Sequence, residues 1–404
     1  MRTSHLKGLI LSICIICGIS ITYAEEQRLL SDSATVSLLT CSPGTEIYEL
    51  FGHSGIRVFD KEKNIDVTFN YGLFDFNQDD FIYRFVRGKT DYEVGVTSTD
   101  YFLYSYIERG SGVMESVLNL TQSEKESIWL YLMENIQPEN KTYRYNFIFN
   151  NCATKLRDII DQNVSGVKSY PDVSGSLSFR EAVGLYTKTS PWSQFGFDIC
   201  LGRGMDRDAT TYEKMFLPEI LGNTINQSTV MVGDSTFNLV SQINTINENT
   251  LENPAPFISP LALGIILCVL VLILSLYGLW KKLDLRWFDA IIFSINGLFG
   301  CLVLFLILFS KHPFTFANFN IIWLNPFFFC PLLFVIFKRL QKYEFIYYAI
   351  VSIVLVLFLF GSNMLSQEFN DAVYPFTIIF LLRALSYVIN WGYRLDAQKE
   401  HTLS

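Results

Sequence analysis

Hydrophobic and polar positions divide the chain into two parts with different periodicities. Up to about residue 240, alternating stretches typical of half-buried strands are interspersed with stretches of helical period. From about residue 257 onward, nearly continuous apolar runs are separated only by short charged loops. The pattern predicts an α+β domain followed by an all-α transmembrane bundle of about five helices.

The first part carries signals for individual elements. Residues 35–41 alternate as a strand, and residues 52–60 and 64–72 predict a strand pair joined by the turn "KEKN". Helices are predicted over 121–136 and 178–186. Each of these begins with a capping box, in which Ser or Thr is followed three residues later by Glu.

The apolar runs of the second part are each close to the ~20 residues that cross a bilayer. They cover 257–280, 287–310, 319–337, 345–364 and 374–394. Basic residues are concentrated after the first, third and fifth runs, namely Lys281, Lys282, Arg286, Lys338, Arg339, Lys342, Arg394 and Lys399. Because basic loops stay in the cytoplasm, the domain that precedes the first run is predicted to face outward.

The N-terminus leads to the same orientation. Arg2 and Lys7 precede the apolar core "GLILSICIICGISI", and "TYA" ends at Ala24. This layout is typical of a signal peptide, with an uncleaved signal anchor as the alternative. We therefore expect a signal peptide (1–24), an exported α+β domain (25–240), a polar linker that ends in prolines (241–256), a five-helix transmembrane domain (257–394) and a cytoplasmic tail (395–404).

Composition supports a membrane setting and excludes one class of partner. Half of the 404 residues are hydrophobic, with 35 Phe and 21 Tyr, which is too apolar for an ordinary soluble protein. The net charge is −8, and we find no basic stripe with interleaved aromatic residues. These features argue against binding to nucleic acid.

Few residues outside the membrane are suited to nucleophilic chemistry. Of eight cysteines, two lie in the signal segment and three in the predicted spans, which leaves Cys41, Cys152 and Cys200. An odd number in an oxidising compartment leaves at least one thiol unpaired. His53 is the only histidine of the exported domain, although His312 lies on an outward loop between two spans.

Cys152 lies where a strand pattern changes into a helical one. Aromatic residues alternate with polar ones over 143–150, and a single apolar helical face follows, formed by Ala153, Leu156, Ile159, Ile160 and Val164. Unpaired amides of a first helical turn favour a thiolate and bind a developing oxyanion. For Cys152, a nucleophile, a packed core thiol and a disulfide with Cys41 or Cys200 all stay open.

A thiolate nucleophile requires a base and a group that orients the base. His53 is the candidate base, although a histidine at the start of a strand is also typical of a structural role. Asn70 is the preferred third group, with Asp66 and Glu49 as alternatives.

Asn150 and Asn151 precede Cys152 directly. Asparagine is a preferred cap of a helix N-terminus, so either residue is a candidate for capping this helix and for supporting an oxyanion.

The order of these residues resembles the circularly permuted papain-like enzymes, a group that includes lecithin:retinol acyltransferase. "ELFGHSGIRVFD", "FNYGLFDF", "FVRGKTDY" and "YNFIFNNCATKLRDII" together resemble the exported module of a family of bacterial envelope lipoprotein N-acyltransferases. In that family, membrane helices follow the module. The similarity covers residues 30–220 well and the spans only in layout.

This resemblance implies that Cys152 and His53 carry the chemistry. A fatty acyl chain would pass from a phospholipid, through a Cys152 thioester, to the α-amine of a diacylglyceryl-cysteine lipoprotein. It implies an inner-membrane protein whose catalytic domain faces the periplasm. We expect no metal and no cofactor. The alternatives are a cell-envelope cysteine amidase or peptidase, and a non-enzymatic membrane protein with an exported sensing domain.

Two further features have open interpretations. Arg383 lies near the middle of the fifth span, where an arginine is costly and by default functional. It is a candidate for binding a lipid headgroup, or for pairing with a polar residue of another helix.

The aromatic stretches "FDFNQDDFIYRF" and "DYFLYSY" would either cover a thioester against water or pack in the core or on the membrane surface.

Overall fold

The computed structural model describes residues 28–77, 79–252 and 256–403, with side chains described as far as residue 391. An α+β domain is followed by five hydrophobic segments long enough to cross a membrane, as the hydrophobic pattern predicts. The predicted signal peptide (1–24) lies outside the described residues.

In the described residues, ten strands form two antiparallel sheets. They are β1 (Thr35–Cys41), β2 (His53–Asp60), β3 (Ile65–Leu73), β4 (Asp91–Ser98), β5 (Val113–Leu118), β6 (Thr142–Arg144), β7 (Val167–Ser169), β8 (Thr229–Val232), β9 (Ser235–Asn238) and β10 (Val240–Asn247). The large sheet has the order β10-β5-β1-β2-β3-β4-β6, and β7, β8 and β9 form the small one. The predicted strand pair is thus β2 and β3, at the centre of the large sheet.

Eight helices belong to this domain in the described part of the chain. They are α1 (Phe81–Val86), α2 (Thr99–Glu108), α3 (Gln122–Asn135), α4 (Cys152–Asn163), α5 (Phe179–Thr187), α6 (Pro191–Cys200), α7 (Thr211–Lys214) and α8 (Pro218–Gln227). The helices predicted from capping boxes are α3 and α5, and Thr121 and Ser178 cap them as expected.

The main core lies between the large sheet and α4. Leu156 and Ile160 of α4 are fully buried against a cluster that includes Ile56 and Val58 of β2 and Phe69 of β3. Burying side chains of this size stabilises a fold by about 1.5–3 kcal/mol each. The periodic apolar face of α4 therefore fixes the position of this helix, and of its first residue, relative to β2 and β3.

Two segments differ from the predicted organisation. Residues 240–247 form β10, an edge strand paired with β5, so the linker predicted over 241–256 begins later than expected. Half of the residues of this strand are exposed and only Val240 is buried, so its composition is as polar as that of a linker. The strand predicted over 143–150 ends at Arg144, because Asn146 and Asn150 then exchange backbone hydrogen bonds and close a turn.

The membrane part contains α9 (Pro260–Lys281), α10 (Arg286–Phe309), α11 (Cys330–Ile336), α12 (Glu344–Gly361) and α13 (Val373–Leu403). The third segment, Phe319–Ile336, is broken: two 3₁₀ turns, Phe319–Ile322 and Pro326–Phe329, precede the short α11. Interrupted backbone at membrane depth needs internal hydrogen-bond partners. The amide of Asn296 on α10 supplies one, because it donates to the carbonyl of Trp323 at 2.8 Å.

Among the described residues, the contacts between the domain and the membrane part include two groups of side-chain hydrogen bonds. The side chains of Asn318 and Asn320 donate to the carbonyls of Ile199 and Asp198 in α6 at 2.7 and 2.9 Å. Beyond the end of α10, Ser310 and His312 bond the carbonyls of Val86 and Phe85 in α1 at 2.9 and 2.5 Å. These contacts place one side of the domain against the outer ends of the spans.

Arg383 pairs with another helix and is not placed to bind a lipid headgroup. Its guanidinium donates to both carboxylate oxygens of Asp289 on α10, at 2.6 and 3.1 Å, and to the hydroxyl of Ser275 on α9 at 3.0 Å. The side chains of Arg383 and Asp289 are only 4% and 2% exposed. Because Ser275 lies towards the end of α9 and Asp289 in the first turn of α10, the pair lies towards the cytoplasmic side, away from the exported domain.

We expect Arg383→Ala to destabilise the protein in detergent, with a clearly lower thermal unfolding midpoint. Removing one partner leaves the Asp289 carboxylate buried and uncompensated, which costs about 3–5 kcal/mol in known cases. The matched control is Arg286→Ala, because its pair with Asp284 is partly exposed, at 32% and 50%, and such pairs contribute at most about 1 kcal/mol. Equal unfolding midpoints for the two variants would contradict the interpretation that the buried Arg383–Asp289 pair stabilises the helix bundle.

Candidate active site

His53 and Asn70 lie on neighbouring strands and face each other diagonally. His53 opens β2, and Asn70 of β3 is paired in register with Gly55, two residues further along β2. Residues two apart share a face of a strand, so the imidazole and the carboxamide project to the same side. Asn70 Oδ1 lies 2.7 Å from His53 Nε2.

This contact defines the chemistry of the two imidazole nitrogens. A carboxamide oxygen only accepts hydrogen bonds, so Nε2 carries a proton in this arrangement. Nδ1 is then the nitrogen that exchanges a proton with a nucleophile. The other groups considered for this role are engaged elsewhere: Asp66 pairs with Arg57 at 2.7 Å, and Glu49 pairs with Arg109.

Cys152 is the first residue of α4. Asn151 caps this helix from an extended conformation, and its Oδ1 accepts from the backbone N–H of Thr154 at 2.9 Å. The Thr154 hydroxyl in turn accepts from the N–H of Asn151 at 2.8 Å, which completes a capping box. Two orphan amides of the first turn are thus satisfied, and the position of Cys152 is fixed.

Among the described residues, both side-chain N–H groups of Asn151 and one of the two of Asn150 donate to backbone carbonyls. The Asn151 amide donates to the carbonyls of Phe147 and Phe216, at 2.8 Å each. The Asn150 amide donates to the carbonyl of Arg144 at 2.7 Å. Both residues support the turn that precedes Cys152.

The side chains of Cys152 and His53 are adjacent, and each shifts the pKa of the other. Withdrawal from water would raise the pKa of the thiol, but the charge and the hydrogen bond of His53 outweigh this effect and lower it. The backbone N–H groups of Ser54 and Ala153 act in the same direction. The N–H of Ser54 belongs to β2, a distant segment of the chain, so the pattern of the first helical turn does not reveal it.

The pKa of His53 shifts in the opposite direction, upward. Withdrawal from water would lower the pKa of the imidazole, but the charge and hydrogen bond of Cys152, with a smaller effect of Asn70, raise it. A lowered thiol pKa beside a raised imidazole pKa favours a thiolate–imidazolium pair. Such a pair is a nucleophile with a proton held beside it.

The other two thiols of the domain and the second outward histidine have different surroundings, although Cys41 is paired in register with His53. The cysteines of the described residues are free, so the alternative of a disulfide with Cys41 or Cys200 is not realised. Cys41 is fully buried and Cys200 half-buried, and burial raises the pKa of Cys200 to about 11. His312 contacts Phe85 at the membrane junction, and burial lowers its pKa.

Gly72 and Tyr143 also belong to the site, although sequence reasoning did not single them out. Gly72 has a φ of +102° and no side chain, and a Cβ atom built on it would be surrounded by three groups. It would lie 3.7 Å from Cε1 of His53, 3.8 Å from Cβ of Cys152 and 4.0 Å from Oη of Tyr143. The available signal was a glycine two residues after Asn70, at the end of a strand.

Aromatic side chains extend from the site towards the membrane junction. Phe74 packs against Phe76, Phe81 and Tyr92, with ring centroids 4.6 to 5.7 Å apart. Phe76 is nevertheless 61% exposed, and Tyr101 of the second aromatic stretch is 74% exposed. Both stretches therefore combine packing with an exposed apolar surface, and their role as a cover against water stays a prediction.

The fold and the site define a multi-pass membrane protein with an exported α+β domain that holds a paired cysteine and histidine. Residues 24–179 match the Lnb N-terminal periplasmic domain, and residues 252–393 match the Lnb transmembrane domain. Together the two matches cover most of the chain, in the expected order, and the chain belongs to the Lnb family. No curated protein and no solved structure matches it.

We expect Cys152 to be alkylated by iodoacetamide at pH values below the ordinary thiol pKa of about 8.5. In His53→Ala, the midpoint of the pH profile should move upward, because the lowering effect of the imidazolium is lost while the raising effect of burial remains. Asn70→Ala should give a smaller upward shift. The measurement is the alkylation rate of the Cys152 peptide by mass spectrometry.

Cys200 provides the internal control in the same samples. Its pKa of about 11 predicts slow alkylation that is insensitive to both substitutions. A pH profile of Cys152 that is unchanged in His53→Ala would show that the two side chains are not paired.

Proposed function

We propose that this protein is a lipoprotein N-acyltransferase. The acyl chain comes from a phospholipid, and the acceptor is the α-amine of a diacylglyceryl-cysteine lipoprotein. The observation that carries the proposal is the adjacency of Cys152 and His53, with a lowered pKa of the thiol and a raised pKa of the imidazole, in a domain that contacts the outer ends of membrane spans. Membership of the Lnb family, with its periplasmic and transmembrane domains, supports the location that such substrates require.

In the first half-reaction, the Cys152 thiolate adds to the ester carbonyl carbon of the phospholipid. The tetrahedral intermediate collapses with cleavage of the bond between this carbon and the glycerol oxygen. His53 gives its Nδ1 proton to the leaving alkoxide, which departs as a lysophospholipid. The fatty acyl chain remains on Cys152 as a thioester.

In the second half-reaction, the α-amine of the lipoprotein adds to the thioester carbonyl. Such amines have a pKa of about 8, so a useful neutral fraction exists near neutral pH. His53 accepts a proton from the attacking nitrogen, the bond between carbon and sulfur breaks, and an amide forms. The thiolate–imidazolium pair is thereby restored, and no external oxidant, reductant or metal is needed.

The position of the site supports a lipid donor. Gly72 borders Cys152 and His53. Helix α1 begins nine residues later, and the carbonyl of Val86 at its end accepts a hydrogen bond from Ser310, which follows α10. The connecting segment contains Phe74 and Phe76. Apolar side chains that remain exposed in this region are Leu73, Phe76, Ile82, Tyr83 and Phe85. Exposed apolar surface of this kind marks contact with lipid or another apolar partner.

A cysteine amidase or peptidase would use the same pair of residues, but it requires an open, hydrated groove and no membrane domain. The five spans and the apolar path between the site and the membrane favour acyl transfer over hydrolysis. A non-enzymatic sensing domain would not need a thiol of lowered pKa.

We expect Cys152→Ala in the purified full-length protein to lower transfer of phospholipid acyl chains to a diacylated lipopeptide by at least about 10⁴-fold, as for loss of other nucleophiles. Cys152→Ser should accumulate an acyl ester, because an alkoxide is a poorer leaving group than a thiolate. Both are measured by mass spectrometry of the lipopeptide and of the protein.

Cys200→Ala is the matched control, because it removes another free thiol of the same domain and should retain activity. Transfer by Cys152→Ala at the wild-type rate would overturn the proposal. Release of free fatty acid or cleavage of envelope peptides by the wild type, without transfer to the amine, would favour the hydrolase alternative. In cells, loss of the protein should leave lipoprotein α-amines free.

A further inference from the structure

Tyr143 carries a buried hydroxyl without a hydrogen-bond partner among the residues that the structure describes. Leaving such a group unsatisfied costs about 1–3 kcal/mol. The neighbouring Tyr71, whose ring centroid lies 6.1 Å away, has no such deficit, because its hydroxyl donates to Asn135 Oδ1 at 2.6 Å. The difference indicates that the Tyr143 hydroxyl meets a partner that arrives with the substrate.

The hydroxyl borders the space left by the absent side chain of Gly72. This space also touches the imidazole of His53 and the Cβ atom of Cys152, each within 4 Å of the position that a Cβ on Gly72 would take. A carbonyl group under attack by the Cys152 sulfur must lie beside both the thiol and the imidazole. The hydroxyl of Tyr143 is therefore next to the position of the reacting carbonyl.

The chemistry requires a donor at this position. When the thiolate adds to an ester or thioester, the carbonyl oxygen becomes an oxyanion, and preorganised donors lower the barrier. The side-chain amides of Asn150 and Asn151 donate to backbone carbonyls, and the N–H groups of Ser54 and Ala153 point to the sulfur.

The surroundings of Tyr143 suit a neutral hydrogen-bond donor. Burial raises the pKa of its hydroxyl far above neutral pH, so the proton stays on the oxygen. The ammonium of Lys155 lies 4.7 Å from the centre of its ring and adds positive charge near a developing oxyanion. Tyr143 also pairs with Tyr92 in the sheet, which fixes its backbone.

We propose that the Tyr143 hydroxyl donates a hydrogen bond to the oxyanion of the tetrahedral intermediates formed at Cys152. The proposal rests on the assignment of Cys152 as an acyl-accepting nucleophile. No covalent bond to Tyr143 forms: electrons move from sulfur to carbon and onto the oxygen, the hydrogen bond stabilises that charge, and the carbonyl re-forms as the leaving group departs.

The test compares two reactions of the same thiol in the purified full-length Tyr143→Phe variant. Alkylation by iodoacetamide is a displacement without an oxyanion, whereas acylation by a p-nitrophenyl ester of a fatty acid passes through one. We expect acylation, followed as the burst of p-nitrophenolate, to slow by about 10²-fold. The alkylation rate and its pH profile should stay within about threefold of wild type, which also shows that the site is folded.

The matched control is Tyr71→Phe, which removes a hydroxyl from the neighbouring ring and should leave the ratio of the two rates unchanged. Equal slowing of both reactions in Tyr143→Phe would assign Tyr143 to holding the thiolate and overturn the proposal. Unchanged acylation would also overturn it.

If wild type fails to acylate lipopeptides while its acylation by the ester depends on Tyr143, the proposed function fails and this inference stands. If wild type acylates lipopeptides but its acylation by the ester does not depend on Tyr143, the proposed function stands and this inference fails.

Discussion

The site depends on the mutual charge stabilisation of Cys152 and His53. Withdrawal from water acts on both in the unfavourable direction, since it raises the pKa of a thiol and lowers that of an imidazole. The proximity of the two groups is the largest of the effects that oppose this withdrawal. The pair therefore requires the first turn of α4 and the start of β2 to be held together, and the fold supplies this through the buried apolar face of α4 and the Asn151 cap.

The contact between the domain and the spans gives this site a fixed relation to the membrane. Asp198 of α6 connects the two parts, since its carboxylate accepts from Arg180 and from Asn370, and its carbonyl from Asn320, all at 2.9 Å. At the second contact, the carbonyls of Val86 and Phe85 in α1 are hydrogen-bonded to Ser310 and His312, which follow α10. Two separate contacts restrain the domain more than a single linker does, and strand β10 shortens the linker that sequence composition predicts.

The sequence alone predicts those features of the fold that are local and periodic. The β2–β3 pair, the start of α4 at Cys152 and the five hydrophobic segments each produce a pattern in one stretch of chain. The strand pattern alone does not separate Asn70 from Asp66, because both share a strand face, and the choice depends on Arg57 engaging Asp66. The contacts of Tyr143 and the Arg383–Asp289 pair join distant segments, so no local pattern reports them. β10 was missed because an exposed edge strand has the composition of a linker.

The neutral partner Asn70 suits a histidine that must act first as an acid and then as a base. In the resting pair, the largest effect that raises the pKa of His53 is the negative charge of Cys152, and withdrawal from water opposes it. In the proposed mechanism, thioester formation removes this charge, so the pKa of the imidazole falls just after it has given its proton to the leaving lysophospholipid. A carboxylate in place of Asn70 would keep the imidazole charged through this stage. With an uncharged carboxamide, His53 stays neutral beside the thioester, as the base that the incoming amine requires.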